Sequence, residues 1–139
     1  MKQNNYIPNL AGILLLSHGP FCQALLESAQ MIAGEAQNVV AMPLFENSDI
    51  ETYGRDAIET FRSMPEGSIV LFDLASGTPF NQMMIQSGGE KFPGLCGVSL
   101  PVLLEALALR EVMQGDELID MLSESAKAAV VNISSFFEP

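Results

Sequence analysis

His18 is the only histidine in the chain, and it stands where an apolar run gives way to a turn, in "LLLSHGPFCQALL", residues 14–26. A neutral imidazole is nucleophilic near pH 7, so it can take up a phosphoryl group; the phosphoramidate that results stays reactive enough to be handed on. A serine phosphate is too inert for such a relay. Gly19 allows close approach of the backbone, and Pro20 suits the first turn of a helix, where its missing N–H has no intrahelical acceptor. The unpaired N–H groups and positive end of that helix favour an anion by about 0.3–1 kcal/mol. His18 is therefore a candidate carrier and Gly19 a candidate phosphate-binding position, against the alternative of a histidine that is simply packed or solvated.

A ring that gains positive charge needs an acceptor on its second nitrogen, to fix the tautomer and stabilise the cation. Asp73 is the candidate, because a carboxylate closing the apolar run "GSIVLFDL" is costly to bury unpartnered; capping its own loop is the other role open to it. In "SGTPFN", residues 76–81, Gly77 supplies a tight turn and Thr78 takes an N-cap position ahead of Pro79. The Thr78 hydroxyl and neighbouring amides can also meet phosphoryl oxygens, and Asn81 offers a further polar contact in the same first turn. Gly77 and Thr78 join the candidate phosphate-binding set, with capping alone as the alternative for Thr78.

Four strand-like runs and intervening helical spacings must position these groups. "GILLL" from Gly12 to Leu16 is the first strand; the helix after it places Phe21, Leu25, Ala29 and Ile32 on one stripe. "NVVAMPLF" is the second strand, and Ser48 to Glu51 has the form of a capping box for a helix running to about Ser63, with Tyr53, Ala57, Ile58 and Phe61 inward. "GSIVLFDL" is nearly continuous in apolar residues, as in a strand covered on both faces. "GLCGVSL" is a short fourth strand, leading through Pro101 to a helix in which Leu103, Leu104, Leu107 and Val112 form a broad apolar face. Asp116 starts a last helix with Leu118, Met121, Leu122 and Ala126 inward, and the tail "VVNISSFFEP" reads equally as an edge strand or an extension. The alternation implies an α/β fold: a doubly wound, mostly parallel four-stranded sheet with helices on both faces and a possible extra edge strand from the tail. Ligands of such sheets meet the carboxyl ends of the strands, where "SHGP", "LASGTP" and "SLP" would share one rim.

Composition fixes the context. With 48% hydrophobic and 17% charged residues in 139, the chain is expected to fold as one domain, residues 1–139, undivided by any linker or repeat. Six basic against 17 acidic residues give a net charge of -11, which opposes nucleic acid and anionic lipid as partners and suits a basic protein surface, with a solvated acidic exterior as the alternative. Cys22 and Cys96 form neither a metal knuckle nor a redox pair, so reduced thiols in a cytoplasmic protein are expected. No apolar run approaches the roughly 20 residues needed to cross a bilayer.

Taken together, "GILLLSHGPFCQALLESAQMIAGE", "LFDLASGTPFN" and "GVSLPVLLEAL" resemble the mannose-type IIA domain of the bacterial phosphoenolpyruvate-dependent sugar phosphotransferase system, in the same order from residue 12 to about 130. The resemblance implies a doubly wound domain that dimerises, accepts a phosphoryl group from the phosphocarrier HPr on a histidine, and passes it to a IIB partner for sugar uptake through membrane IIC and IID components. It puts His18 at the phosphorylated position, Asp73 at the accompanying aspartate, and Thr78 where relatives often have serine. "LASG" departs from the tryptophan- and glycine-rich loop of the mannose branch, and "GVSLPVLLEAL" resembles the dimer-forming region. The same histidine chemistry serves a IIA-like subunit of a phosphotransferase-dependent dihydroxyacetone kinase, and the same fold could serve a regulatory protein-binding domain. A Ser-His-Asp hydrolase is disfavoured, since adjacent Ser17 and His18 point apart on a strand and no G-x-S-x-G elbow exists. One histidine and scattered carboxylates disfavour a metal enzyme, and neither metal nor cofactor is expected.

Overall fold

The computed structural model describes residues 5–137. Strands β1 (Ile13–His18), β2 (Val39–Leu44), β3 (Ile69–Phe72) and β4 (Gly94–Cys96) alternate with helices α1 (Phe21–Ala33), α2 (Ile50–Ser63), α3 (Thr78–Gln86), α4 (Leu100–Leu109) and α5 (Gly115–Ala129). The sheet is wholly parallel in the order β2-β1-β3-β4. The strand order therefore reverses between β1 and β3, which lie side by side with Leu16 opposite Phe72. Pro43 sits on β2, an edge strand, where a missing N–H is tolerated.

Alternation along β1 and β3 divides the interior into two layers. Ile13, Leu15, Ile69 and Leu71 pack towards α1, α4 and α5, whereas Leu14, Leu16, Val70 and Phe72 pack towards α2 and α3. Covering both faces explains why these strands are apolar at every position up to Leu16 and Phe72, each large side chain contributing about 1.5–3 kcal/mol by its burial. Polar residues begin only where the strands emerge, at Ser17 and His18 on β1 and at Asp73 after β3.

Several expectations are corrected in detail. The buried stripe of α1 is Cys22, Leu25 and Ala29; Phe21 and Ile32 are exposed. At about 100° per residue, Ile32 and Phe21 lie ~60° and ~80° round from Ala29 on the same side, on the shoulder of the stripe rather than at its centre. Helix α2 is capped by Asp49, whose Oδ1 accepts from the Glu51 N–H at 3.1 Å, not by Ser48. The Ser48 hydroxyl is occupied closing the preceding turn, accepting from the Phe45 N–H at 3.0 Å. Thr78 is the first residue of α3 and Gly77 its N-cap, with no side-chain cap. Helix α4, capped by Ser99, stops at Leu109, so Val112 falls in the following turn and is exposed. Leu103 is fully buried, while Leu104 and Leu107 are partly covered. Helix α5 starts at Gly115, whose positive φ of 57° suits glycine, and buries Leu118 and Leu122, leaving Met121 exposed. Among the described residues the tail adds no strand: Ile133–Phe137 is a short 3₁₀ turn, and the last two residues of the tail lie outside the description.

Candidate functional site

The site grows from the two central strands. Asp73 follows directly after β3, and its N–H donates to the Leu16 carbonyl at 3.1 Å, which continues the β1–β3 ladder and sets the carboxyl group beside His18. Asp73 Oδ2 accepts from the His18 backbone N–H at 2.9 Å and faces His18 Nδ1 at 2.8 Å. Its other oxygen, Oδ1, accepts from the Leu74 N–H at 2.9 Å. An ionised carboxylate only accepts, so its partner Nδ1 carries a proton and Nε2 keeps the lone pair in the neutral ring. The His18 side chain remains 46% exposed and that of Asp73 12% exposed, so the imidazole is reachable from solvent while the carboxylate that holds it is sheltered.

Gly77 comes against the same ring. A Cβ built there would lie 2.5 Å from His18 Cε1 and 3.1 Å from Nε2, so only glycine lets the β3–α3 loop lean on that edge of the imidazole. Its φ of -85° is ordinary extended backbone, and the requirement for glycine is one of space. The first bond of α3 runs from the Asn81 N–H to the Gly77 carbonyl at 2.8 Å, which leaves the Thr78 and Phe80 N–H groups ahead of any intrahelical acceptor. Those N–H groups follow directly in the chain from the glycine that meets the ring.

On the α1 side the donors are mostly committed. The Gly19 N–H, expected to help cradle a phosphoryl group, donates to the Leu44 carbonyl at 2.7 Å. Gly19 instead serves as a turn residue at φ 58°, joining the end of β2 to the end of β1. Ser17, which sequence reasoning used only to argue against a hydrolase, is fully buried. Its hydroxyl accepts from the Cys22 N–H at 2.9 Å and donates to the Gly19 carbonyl at 3.0 Å, so it caps α1 from within the strand. The signal available was its place on β1: the residue before an outward His18 must point inward, where a hydroxyl needs partners.

Three protonated groups lie beneath the rim. Burial pushes the Cys22 thiol up, and burial followed by the nearby Asp73 charge does the same to Cys96. Burial, then the proximity of Cys22 and Asp73, pushes the Tyr53 phenol far up; its hydroxyl donates to the Met42 carbonyl at 2.7 Å, tying α2 to β2. Both cysteines are free. Among the described residues no three of His, Cys, Asp and Glu gather as metal ligands, and no helix is long and apolar enough to cross a membrane.

The structure therefore brings His18, Asp73, Gly77 and the start of α3 at Thr78 together at the β1/β3 reversal, with Gly19 contributing shape. Comparison with known proteins gives the family. The sequence profile described as "PTS system fructose IIA component" matches residues 12–123. The chain is 32% identical over 132 residues to the "PTS system fructose-specific EIIA component" of Bacillus subtilis (strain 168), a match spanning 93% of this chain and 90% of that protein. It is 29% identical over 126 residues to the "PTS system mannose-specific EIIAB component" of Escherichia coli (strain K12), spanning 85% of this chain and 38% of that longer protein. The crystal structure of phosphotransferase system component EIIA from Streptococcus agalactiae superposes with a TM-score of 0.79 at 28% identity, covering 91% of this chain and 99% of that one. With that profile spanning most of its length and a relative above 30% identity over nearly all of it, the chain belongs to the mannose/fructose-type IIA components of the phosphotransferase system.

Proposed function

We propose that this IIA component carries a phosphoryl group on His18, accepting it from HPr and passing it to a IIB partner for sugar uptake. The observation that carries the reading is the 2.8 Å pair between His18 Nδ1 and Asp73 Oδ2 on a ring that stays half exposed. The Nε2 lone pair attacks phosphorus, the bond between phosphorus and the donor's nitrogen breaks, and the ring becomes cationic with its Nδ1 proton held by Asp73. Transfer onward reverses the charge: the acceptor's nucleophile forms the new bond, the phosphorus–Nε2 bond breaks, and the ring returns neutral. Gly77 and the Thr78 N–H and hydroxyl receive the phosphoryl oxygens, a role supported by Gly77 meeting the ring edge that carries Nε2 and by Thr78 opening α3 directly after it. The membrane IIC and IID components enter only downstream of the IIB protein.

Incubation with phosphoenolpyruvate, enzyme I and HPr tests the reading. Acid-labile phosphate should appear on the wild type and be absent from His18→Ala, and equal labelling of the two rejects His18 as the carrier. The -11 net charge and free thiols support a cytoplasmic setting and a partner with a basic face; an unchanged transfer rate from HPr as salt is raised tells against such steering. A homodimer is part of the same reading. Leu103 cannot form its interface, being wholly inside one subunit, but Val112, Val130, Ile133, Phe136 and Phe137 are exposed and give a second copy apolar surface to cover. Sedimentation at micromolar concentration should give a dimer mass, and a clean monomer removes that part of the proposal.

A further inference from the structure

The β3–α3 loop contains one residue that its backbone disfavours. Ser76 has φ +64°, in the left-handed region that L-residues other than glycine seldom occupy. Nothing in the interior enforces this, because Leu74, Ala75 and Ser76 are all exposed. The restraint comes from the first turn of α3. Asn81 Nδ2 donates to the Ser76 carbonyl at 3.2 Å, and the Asn81 main-chain N–H donates to the next carbonyl, that of Gly77, at 2.8 Å. A carbonyl can only accept, so the nitrogen end of the Asn81 amide must face Ser76. One residue thus grips two consecutive peptide units, and the second of them belongs to the glycine that leans on the His18 ring beside Nε2.

We infer that Asn81 is a positioning residue: by holding Ser76 in its left-handed conformation it keeps Gly77 against the imidazole, so that His18 stays paired with Asp73 and Nε2 stays next to the start of α3. The kinetic side of this inference rests on His18 being the phosphoryl carrier. Direct contact between the Asn81 amide and the transferred group is the competing role, and the two make opposite predictions. If Asn81 acts through Ser76, glycine at 76, which takes positive φ freely, makes the grip dispensable. If Asn81 touches the phosphoryl group, glycine at 76 changes nothing.

The test compares wild type, Asn81→Ala, Asn81→Asp, Ser76→Gly and the Ser76→Gly/Asn81→Ala double variant. Because the chain has one histidine, its ring ¹⁵N resonances report the fraction of neutral imidazole protonated on Nδ1 without any transfer reaction. The second readout is the rate of phosphoryl transfer from phosphorylated HPr. Asn81→Ala should lower the Nδ1–H fraction and slow transfer by about three- to tenfold, the range one neutral hydrogen bond covers. Asn81→Asp, which swaps the donor for an acceptor while keeping the shape, should do the same. The double variant should return to within about twofold of wild type on both readouts. Unchanged tautomer fractions in Asn81→Ala and Asn81→Asp overturn the inference, as does a double variant no better than Asn81→Ala. A wild type that accepts no phosphoryl group refutes the carrier proposal alone, and the ring resonances still decide the role of Asn81.

Discussion

Replacing Gly77 with alanine separates the geometry of the site from the stability of the fold. The added Cβ would lie 2.5 Å from His18 Cε1, 3.1 Å from Nε2 and 3.7 Å from Nδ1. Carbon atoms in contact sit about 3.5–4.0 Å apart, so roughly 1 Å must be found. The ring can turn away, which stretches the 2.8 Å bond to Asp73 beyond useful length, or the loop can withdraw and take the α3 amides away from Nε2. Either outcome loses a hydrogen bond to a charged group, about 1.5–3 kcal/mol, which corresponds to a transfer rate about 10- to 150-fold lower. The fold should survive with at most the cost of that one bond, because the φ of -85° and ψ of 170° at Gly77 admit alanine and the atom displaced is the tip of a half-exposed side chain. Removing the glycine's unfolded-state freedom offsets the clash by about 0.4–1 kcal/mol. Single-turnover transfer from phosphorylated HPr, run beside thermal unfolding, checks both halves. Wild-type transfer by Gly77→Ala, with the His18 ring still protonated on Nδ1, would refute the argument that this glycine exists to make room for the imidazole.

Asp73→Asn keeps the shape of the acceptor but removes its charge, so the protein should fold and transfer about 10- to 150-fold more slowly by the same hydrogen-bond arithmetic; an unchanged rate reduces Asp73 to a loop-capping residue. Alkaline pH should weaken the fold. Burial raises Cys22 above its ordinary 9.0 and Tyr53 above its ordinary 10.0, so the unfolded chain loses those protons first, and their contribution is whole below about pH 9 and declines as pH rises. The unfolding midpoint should fall between about pH 9 and 11, less steeply in Cys22→Ser, and parallel curves for the two proteins count against a buried thiol as one source of the slope.

The central half of the fold was legible because burial on two faces leaves a strong trace: β1 and β3 are apolar until they reach the rim, and the pair His18–Asp73 lies among the first polar residues after those runs. His18 with Asp73 followed from strand ends meeting at a reversal of strand order, a matter of topology rather than of local spacing. What sequence reasoning missed lies in backbone detail. The Gly19 N–H is taken by the Leu44 carbonyl, an acceptor every residue possesses and no side chain advertises. Ser48, Asp49, Gly77 and Thr78 are all competent cap residues, and the choice between neighbours is made by which one holds the last extended backbone before the helix, Asp49 at ψ 113° and Gly77 at ψ 170°. Ile32 fits a three-four spacing yet lies on the shoulder of its helix, since apolar spacing fixes a face only to within about a residue's turn. Asn81 is legible as a polar residue of a first helical turn, but its partner is a main-chain carbonyl whose orientation depends on the left-handed Ser76.

The Asp73 carboxylate is anchored to the sheet as well as to the ring. It accepts the backbone N–H of His18, and its own N–H closes the last rung between the two innermost strands. Both bonds sit where the two innermost strands emerge, so the carboxylate and the ring are fixed to the same pair of strands. On the proposed reading, an incoming protein would meet a His18–Asp73 pair that is already assembled, with none of its binding energy consumed in arranging the two.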